Sequence, residues 1–190
     1  MIDSTFTAGS VDAVELAAML DEATDEERVA AVMGLNARQQ AILFDAVEGF
    51  RPLGLDHFVP LETPLLHAVD HHGRNSLPMF RRFAKRFCRP EDDASVLWGY
   101  NRNPRLIQPV TGPGYFLCYS AGVGEVVIDY CDVPSDRPDG WPKIRPNSAG
   151  LSHFIYHNTK DTMRGVSEHV SVGRAARAGK PMDNWFVLCR

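Results

Sequence analysis

From residue 95 onward the apolar residues of this chain recur at every second position. Val96, Trp98 and Tyr100 share one parity, with Leu97 and Gly99 between them. Val126, Ile128 and Tyr130 repeat the pattern around Val127 and Asp129. Val166, Val170 and Val172 do the same against Ser167, His169 and Ser171. Successive side chains of a strand point to opposite faces, so this period predicts half-buried strands rather than helices. Tyr115 to Tyr119 and Trp185 to Cys189 add two short apolar runs, which gives about five strands. Gly122-Val123-Gly124 suits a hairpin loop, and Ala178-Gly179-Lys180 suits a turn before the last strand. Residues 132–150 hold four prolines and two glycines and read as a long loop, a class that includes functional lids.

The first 50 residues follow the other period. Ser10 is placed to cap a helix through Val11, Val14, Ala18 and Leu20. Thr24-Asp25-Glu26-Glu27 matches a capping box, and Gly34 offers a left-handed stop. Asn36 caps a third helix that Gly49 ends. Helices followed by strands predict an α+β fold: short N-terminal helices, then a curved, mostly antiparallel sheet or small open barrel. Residues 1–50 form the helical unit and residues 51–190 the α+β body, together one compact domain.

Between the two regimes lies a basic window. Residues 74–89 carry Arg74, Arg81, Arg82, Lys85, Arg86 and Arg89 and no acid, in a chain of net charge −4. Phe80, Phe83, Ala84 and Phe87 fall at helical spacing, and Pro78 suits a first helical turn, so a basic helix is expected over 78–88. Gly73 then reads as a turn whose amides, with Arg74, Asn75 and Ser76, surround a helix start. That arrangement suits a phosphate or carboxylate. The same helix could instead dock an acidic partner. Residues 1–50 supply one acidic surface, with ten acids against Arg28 and Arg38. The sequence pI near 6.0 argues against nucleic acid.

Other residues carry candidate chemistry. Thr111-Gly112-Pro113-Gly114 is a turn that lets the backbone approach a ligand, with Tyr115 next to it. His169 is the natural acid or base of its strand if the face opposite the valines lines a cavity. Tyr100, Tyr115, Asp129 and His169 are candidates to meet there. The ligand-binding set expected is therefore Arg74, Asn75, Ser76, Tyr115 and His169. His67/His71 and His153/His157 each have i, i+4 spacing, which suits a metal only on a helix. Neither contains HExxH, and no metal ligand set is assigned. No catalytic residue or cofactor is assigned either, because P-loop, dinucleotide and GxSxG signatures are missing.

Cys88, Cys118, Cys131 and Cys189 form no CxxC pair, which points to reduced thiols and a cytoplasmic setting. No apolar run reaches bilayer length and the N-terminal residues do not resemble a secretory signal. The function expected is binding of a small anionic molecule near the basic helix. An interaction module and a histidine-ligated metalloenzyme are the alternatives. The sequence does not decide between binding and turnover.

Overall fold

The computed structural model describes residues 2–78, 81–103, 111–122, 124–150 and 152–190. Three helices open the chain: α1 (Ala13–Glu22), α2 (Asp25–Gly34) and α3 (Ala37–Ala46). Asp12, rather than Ser10, caps α1, because its carboxylate accepts the amides of Val14 and Glu15. The Ser10 hydroxyl instead bonds Thr7 at 2.6 Å. Complete capping boxes open the other two helices, Thr24 with Glu27 and Asn36 with Gln39. Each box satisfies two amides that the helix itself leaves free. Thr24→Ala should therefore weaken α2 by about 1 kcal/mol. Amide exchange across 25–34 should quicken relative to α3; unchanged protection would show the cap to be idle.

Eight strands follow. They are β1 (Val69–Asn75), β2 (Arg82–Cys88), β3 (Val96–Arg102), β4 (Tyr115–Gly122), β5 (Glu125–Asp129), β6 (Thr159–Gly165), β7 (Val170–Arg177) and β8 (Lys180–Cys189). Each is antiparallel to the next, and β8 returns to pair with β1. The sheet is a closed barrel, which corrects the expected curved sheet or open barrel of about five strands. Closure removes the two edges that an open sheet would leave unpaired. An eight-stranded barrel has room inside for side chains or one small ligand.

The largest correction concerns the basic window. Within the expected helix 78–88, Arg82–Cys88 is strand β2; Met79 and Phe80 lie outside the described residues. Phe83, Lys85 and Phe87 alternate into the barrel, while Arg82 and Arg86 point out. Phe83 and Phe87 are four apart, a spacing that both periods share, and a lysine at the centre of the inward row concealed the alternation. Gly73 is no turn either. It lies mid-strand in β1 opposite Phe83, and a Cβ there would come within 2.5 Å of the Phe83 ring. The absent side chain makes room for that ring. A short helix, α4 (Ser152–Ile155), precedes β6. Val166 and Ser167 form the tight turn into β7, both donating to the Val170 carbonyl.

Three packed regions hold these elements. Leu16, Leu20, Val32, Leu43 and Phe44 of the helices meet the outward valines Val170, Val172 and Val187. The helices thus cover the outer wall at β7 and β8 and share a core with the barrel. Inside, Leu53, Phe58 and Val59 pack with Phe87, Leu97, Met163 and Leu188 and plug one end. The segment that carries them is pinned by the Leu53 amide on the Gly124 carbonyl at 2.8 Å. On the outer face of β3 and β4, Trp98, Tyr100 and Tyr115 pack under Trp141. Through Trp141 the long loop 132–150 clads this wall. Some 20 or more buried rings and aliphatic side chains, each contributing roughly 1.5–3 kcal/mol, outweigh what any surface ion pair supplies.

Candidate functional site

The end opposite the plug is hollow. A cavity of about 450 Å³ opens there, walled by Phe83, Tyr130, Tyr156, Ala175 and Phe186. Four of its polar residues, Lys85, Asn101, Tyr130 and Asp161, meet in one cluster, and Asn103, Arg177 and Asn184 are among the others that line it. Lys85 lies on β2 and Asp161 on β6, strands that stand opposite each other in a ring of eight. The lysine side chain therefore crosses the lumen, and its ammonium reaches Asp161 at 3.5 Å. The two side chains are only 3% and 6% exposed, so water scarcely screens them.

The tetrad is tightly linked. Lys85 Nζ donates to Asn101 Oδ1 at 3.1 Å and forms a short hydrogen bond with the Tyr130 hydroxyl. Asn101 Nδ2 donates to the Gly114 carbonyl at 3.0 Å. That bond sets the amide so that its oxygen faces the lysine. The rings of Phe116, Tyr130 and Phe186 stand 5.2, 4.9 and 5.0 Å from Nζ. Their negative faces offset part of the cost of burying a cation.

Burial drives both partners of the pair toward neutrality. It lowers the Lys85 ammonium from its usual value, and Asp161 opposes that shift. It raises the Asp161 carboxyl, and Lys85 opposes that in turn. The Tyr130 phenol is pushed well above its ordinary range, again mainly by burial and then by the Asp161 charge. Tyr156, stacked on Tyr130 at 5.2 Å, is raised to about 12 by burial. Both phenols therefore stay protonated at neutral pH and act as hydrogen-bond donors or acceptors.

The five residues expected from sequence do not converge. Arg74 points outward and gives its Nε hydrogen to the Leu35 carbonyl at 3.1 Å, closing the end of α2. Ser76 accepts the Trp185 amide and donates to Asn184 Oδ1. Tyr115 is buried on the outer wall and donates to the Pro142 carbonyl at 2.5 Å. His169 lies in the turn between β6 and β7, at the plugged end. Asn75 does line the cavity mouth, along with Thr111 of the glycine turn. Asp129 faces out, where Lys160 at 2.6 Å and Tyr119 hold its carboxyl below the usual range against the opposing effect of burial.

Lys85 and Arg86 of β2 are both paired, Lys85 with Asp161. Arg86 grips Asp70 with two hydrogen bonds at 2.7 and 2.6 Å, and Arg102 adds a third at 3.0 Å. The helical docking surface expected from sequence is thus replaced by one wall of a barrel. His153 and His157 stack at 4.5 Å. Among the described residues no group of three or more His, Cys, Asp or Glu is placed to hold a metal. No helix among them is long and apolar enough to cross a membrane. All four cysteines are free, three of them buried.

Lys85, Asn101, Tyr130 and Asp161 were not singled out from sequence. The available signals were Lys85 between two phenylalanines of its own parity, and Asp161 on the parity of Met163 in Thr159–Gly165. A charge on the apolar parity of a strand marks a barrel interior, but only once both segments are read as strands. Comparison with protein-family models, curated proteins and solved structures finds no match for this chain.

Proposed function

We propose that this protein binds a small, mainly apolar molecule inside the barrel, with a carbonyl or carboxylate oxygen directed at Lys85. The carrying observation is a cavity of about 450 Å³ whose aromatic walls lead to the buried cluster of Lys85, Asn101, Tyr130 and Asp161, with Asn75, Asn103 and Arg177 among the further polar residues of its lining. Binding cavities commonly combine an apolar lining with a few convergent polar groups that fix orientation. A cation on the floor keeps the anionic ligand class in view, now in the lumen rather than at a helix start. Asp161 beside it argues against a multiply charged ligand, because each further negative charge would meet a buried carboxylate.

Three probes of one frame test this: trans-cinnamate, trans-cinnamaldehyde and cinnamyl alcohol. Titration calorimetry should show saturable binding, tighter for the acid and the aldehyde than for the alcohol. Ala175→Leu, which fills the cavity on the strand beside Asp161, should weaken all three. Absence of binding by every probe, or binding that Ala175→Leu leaves unchanged, would remove the lumen as the site.

A further inference from the structure

We propose that Lys85 is a nucleophile that captures an aldehyde or ketone inside the barrel as a Schiff base. The proposal rests on the cavity-binding reading above and adds a covalent step to it. Three observations carry it. Lys85 is one of four lysines in a chain with sixteen arginines. Lys143, Lys160 and Lys180 are exposed, and Lys85 alone of the four stands in the cavity. Arginine would serve as well for a purely structural ion pair, and it forks onto carboxylates better. Lysine is the side chain that can give up a proton and attack carbon.

The second observation is a proton acceptor in place. Asp161 Oδ2 lies 3.5 Å from Nζ, buried with it and walled from water. The lysine's ammonium proton passes to this carboxylate, and the free amine adds to the carbonyl carbon, forming the C–N bond. The carbonyl oxygen takes the proton that the newly bonded nitrogen, now positively charged, gives up, and becomes the carbinolamine hydroxyl. Asp161 then returns its proton to that hydroxyl, the C–O bond breaks, and water leaves. Ammonium plus carbonyl thus gives a protonated imine plus water, with no oxidant or reductant required. Burial, which favours the neutral amine, works in the same direction.

The third observation concerns the product. A protonated imine keeps the positive charge where the ammonium had it. The rings of Phe116, Tyr130 and Phe186 and the Asp161 carboxylate therefore face a cation before and after the reaction. The site loses no electrostatic stabilisation on going forward. Tyr130 and Asn101, both within hydrogen-bonding reach of Nζ, are placed to steady the carbinolamine oxygen beside it.

The test uses the unaltered protein. It is incubated with trans-cinnamaldehyde and sodium cyanoborohydride near neutral pH, digested, and read by peptide mass spectrometry. Reductive trapping should mark Lys85 severalfold faster than Lys143, Lys160 or Lys180, because the cavity holds the carbonyl against its amine and burial favours the neutral amine. Excess cinnamyl alcohol should protect Lys85 and leave the exposed lysines unaffected. Cinnamaldehyde that binds by calorimetry while Lys85 is marked no faster than the exposed lysines would overturn the Schiff base and spare the binding reading. Failure of all three probes to bind, with Lys85 unmarked, would overturn both. Asp161→Asn should slow marking of Lys85 at least roughly tenfold, because it removes the group that takes and returns the proton; equal or faster marking in that variant would overturn the role given to the carboxylate.

Discussion

Lys85→Met should destabilise the protein by about 3–5 kcal/mol at neutral pH, measured by urea denaturation. Methionine matches the lysine stem in length and suits the surrounding rings, so little packing is lost. What remains is Asp161, 6% exposed, with its cation removed. Asp161 is already raised by burial while Lys85 holds it down, so losing Lys85 must raise it further. The sign of the pH dependence follows. A carboxyl whose folded pKa lies above its unfolded value costs nothing while both states are protonated. The cost grows as pH rises through that window, because the unfolded chain releases a proton that the folded chain keeps. The deficit of Lys85→Met should therefore shrink on acidification. Adding Asp161→Leu should recover most of the loss, since two apolar residues can replace a buried ion pair without penalty. A single variant that loses less than about 1 kcal/mol and shows no pH trend would mean that the pair is hydrated and weak.

That pair also shows what the sequence could and could not convey. The N-terminal helices were legible because their signals are local: Thr24 with Glu27, and Asn36, each act within one turn. Strands β3, β4 and β5 were legible because Val96–Tyr100, Tyr115–Tyr119 and Val126–Tyr130 are apolar on one or both parities. β2 was not, since Lys85 and its arginine neighbours gave the strand the look of a basic helix. The charge sits inward only because Asp161, 76 residues later, meets it across the lumen. Barrel closure is equally non-local. It depends on β1 pairing with β8, and no short window contains both. The ligand-binding expectation failed to assemble for a related reason. Arg74 and Gly73 looked like a turn with free donors, whereas the strand gives Gly73 to a neighbouring ring and Arg74 to a helix end.

The plugged end of the barrel should make the protein acid-sensitive. His71 is wholly buried there, with Nε2 at 3.0 Å from the Phe58 carbonyl and Nδ1 without a partner among the described residues. The carbonyl can only accept, so Nε2 carries the hydrogen and the ring is neutral. Burial lowers its pKa from 6.5 to about 4, and Arg190 and His72 push the same way against the Phe58 bond and Asp70. His57, whose ring centre lies 6.1 Å away, is lowered well below its usual value by burial, His71 and Arg190. A histidine with a depressed folded pKa leaves stability intact above its unfolded value. Stability is then lost as pH falls toward the folded value, because the unfolded chain binds the proton first. For His71 the window runs from 6.5 down to about 4. Its span corresponds to roughly 3 kcal/mol at about 1.4 kcal/mol per pH unit. His71→Phe should lose the hydrogen bond to Phe58 and be less stable at pH 7. Its stability should nevertheless fall less steeply with acid, so the two denaturation curves should converge by about pH 4. Parallel curves would mean that water reaches the plug and that His71 titrates as an exposed imidazole. His71 stands directly across from Lys85 in the β1–β2 register, so the acid-sensitive plug and the cavity floor share one pair of strands. Protonation that loosens the plug should therefore also reach the lysine, and cinnamaldehyde trapping at Lys85 should decline along the same pH window as stability does.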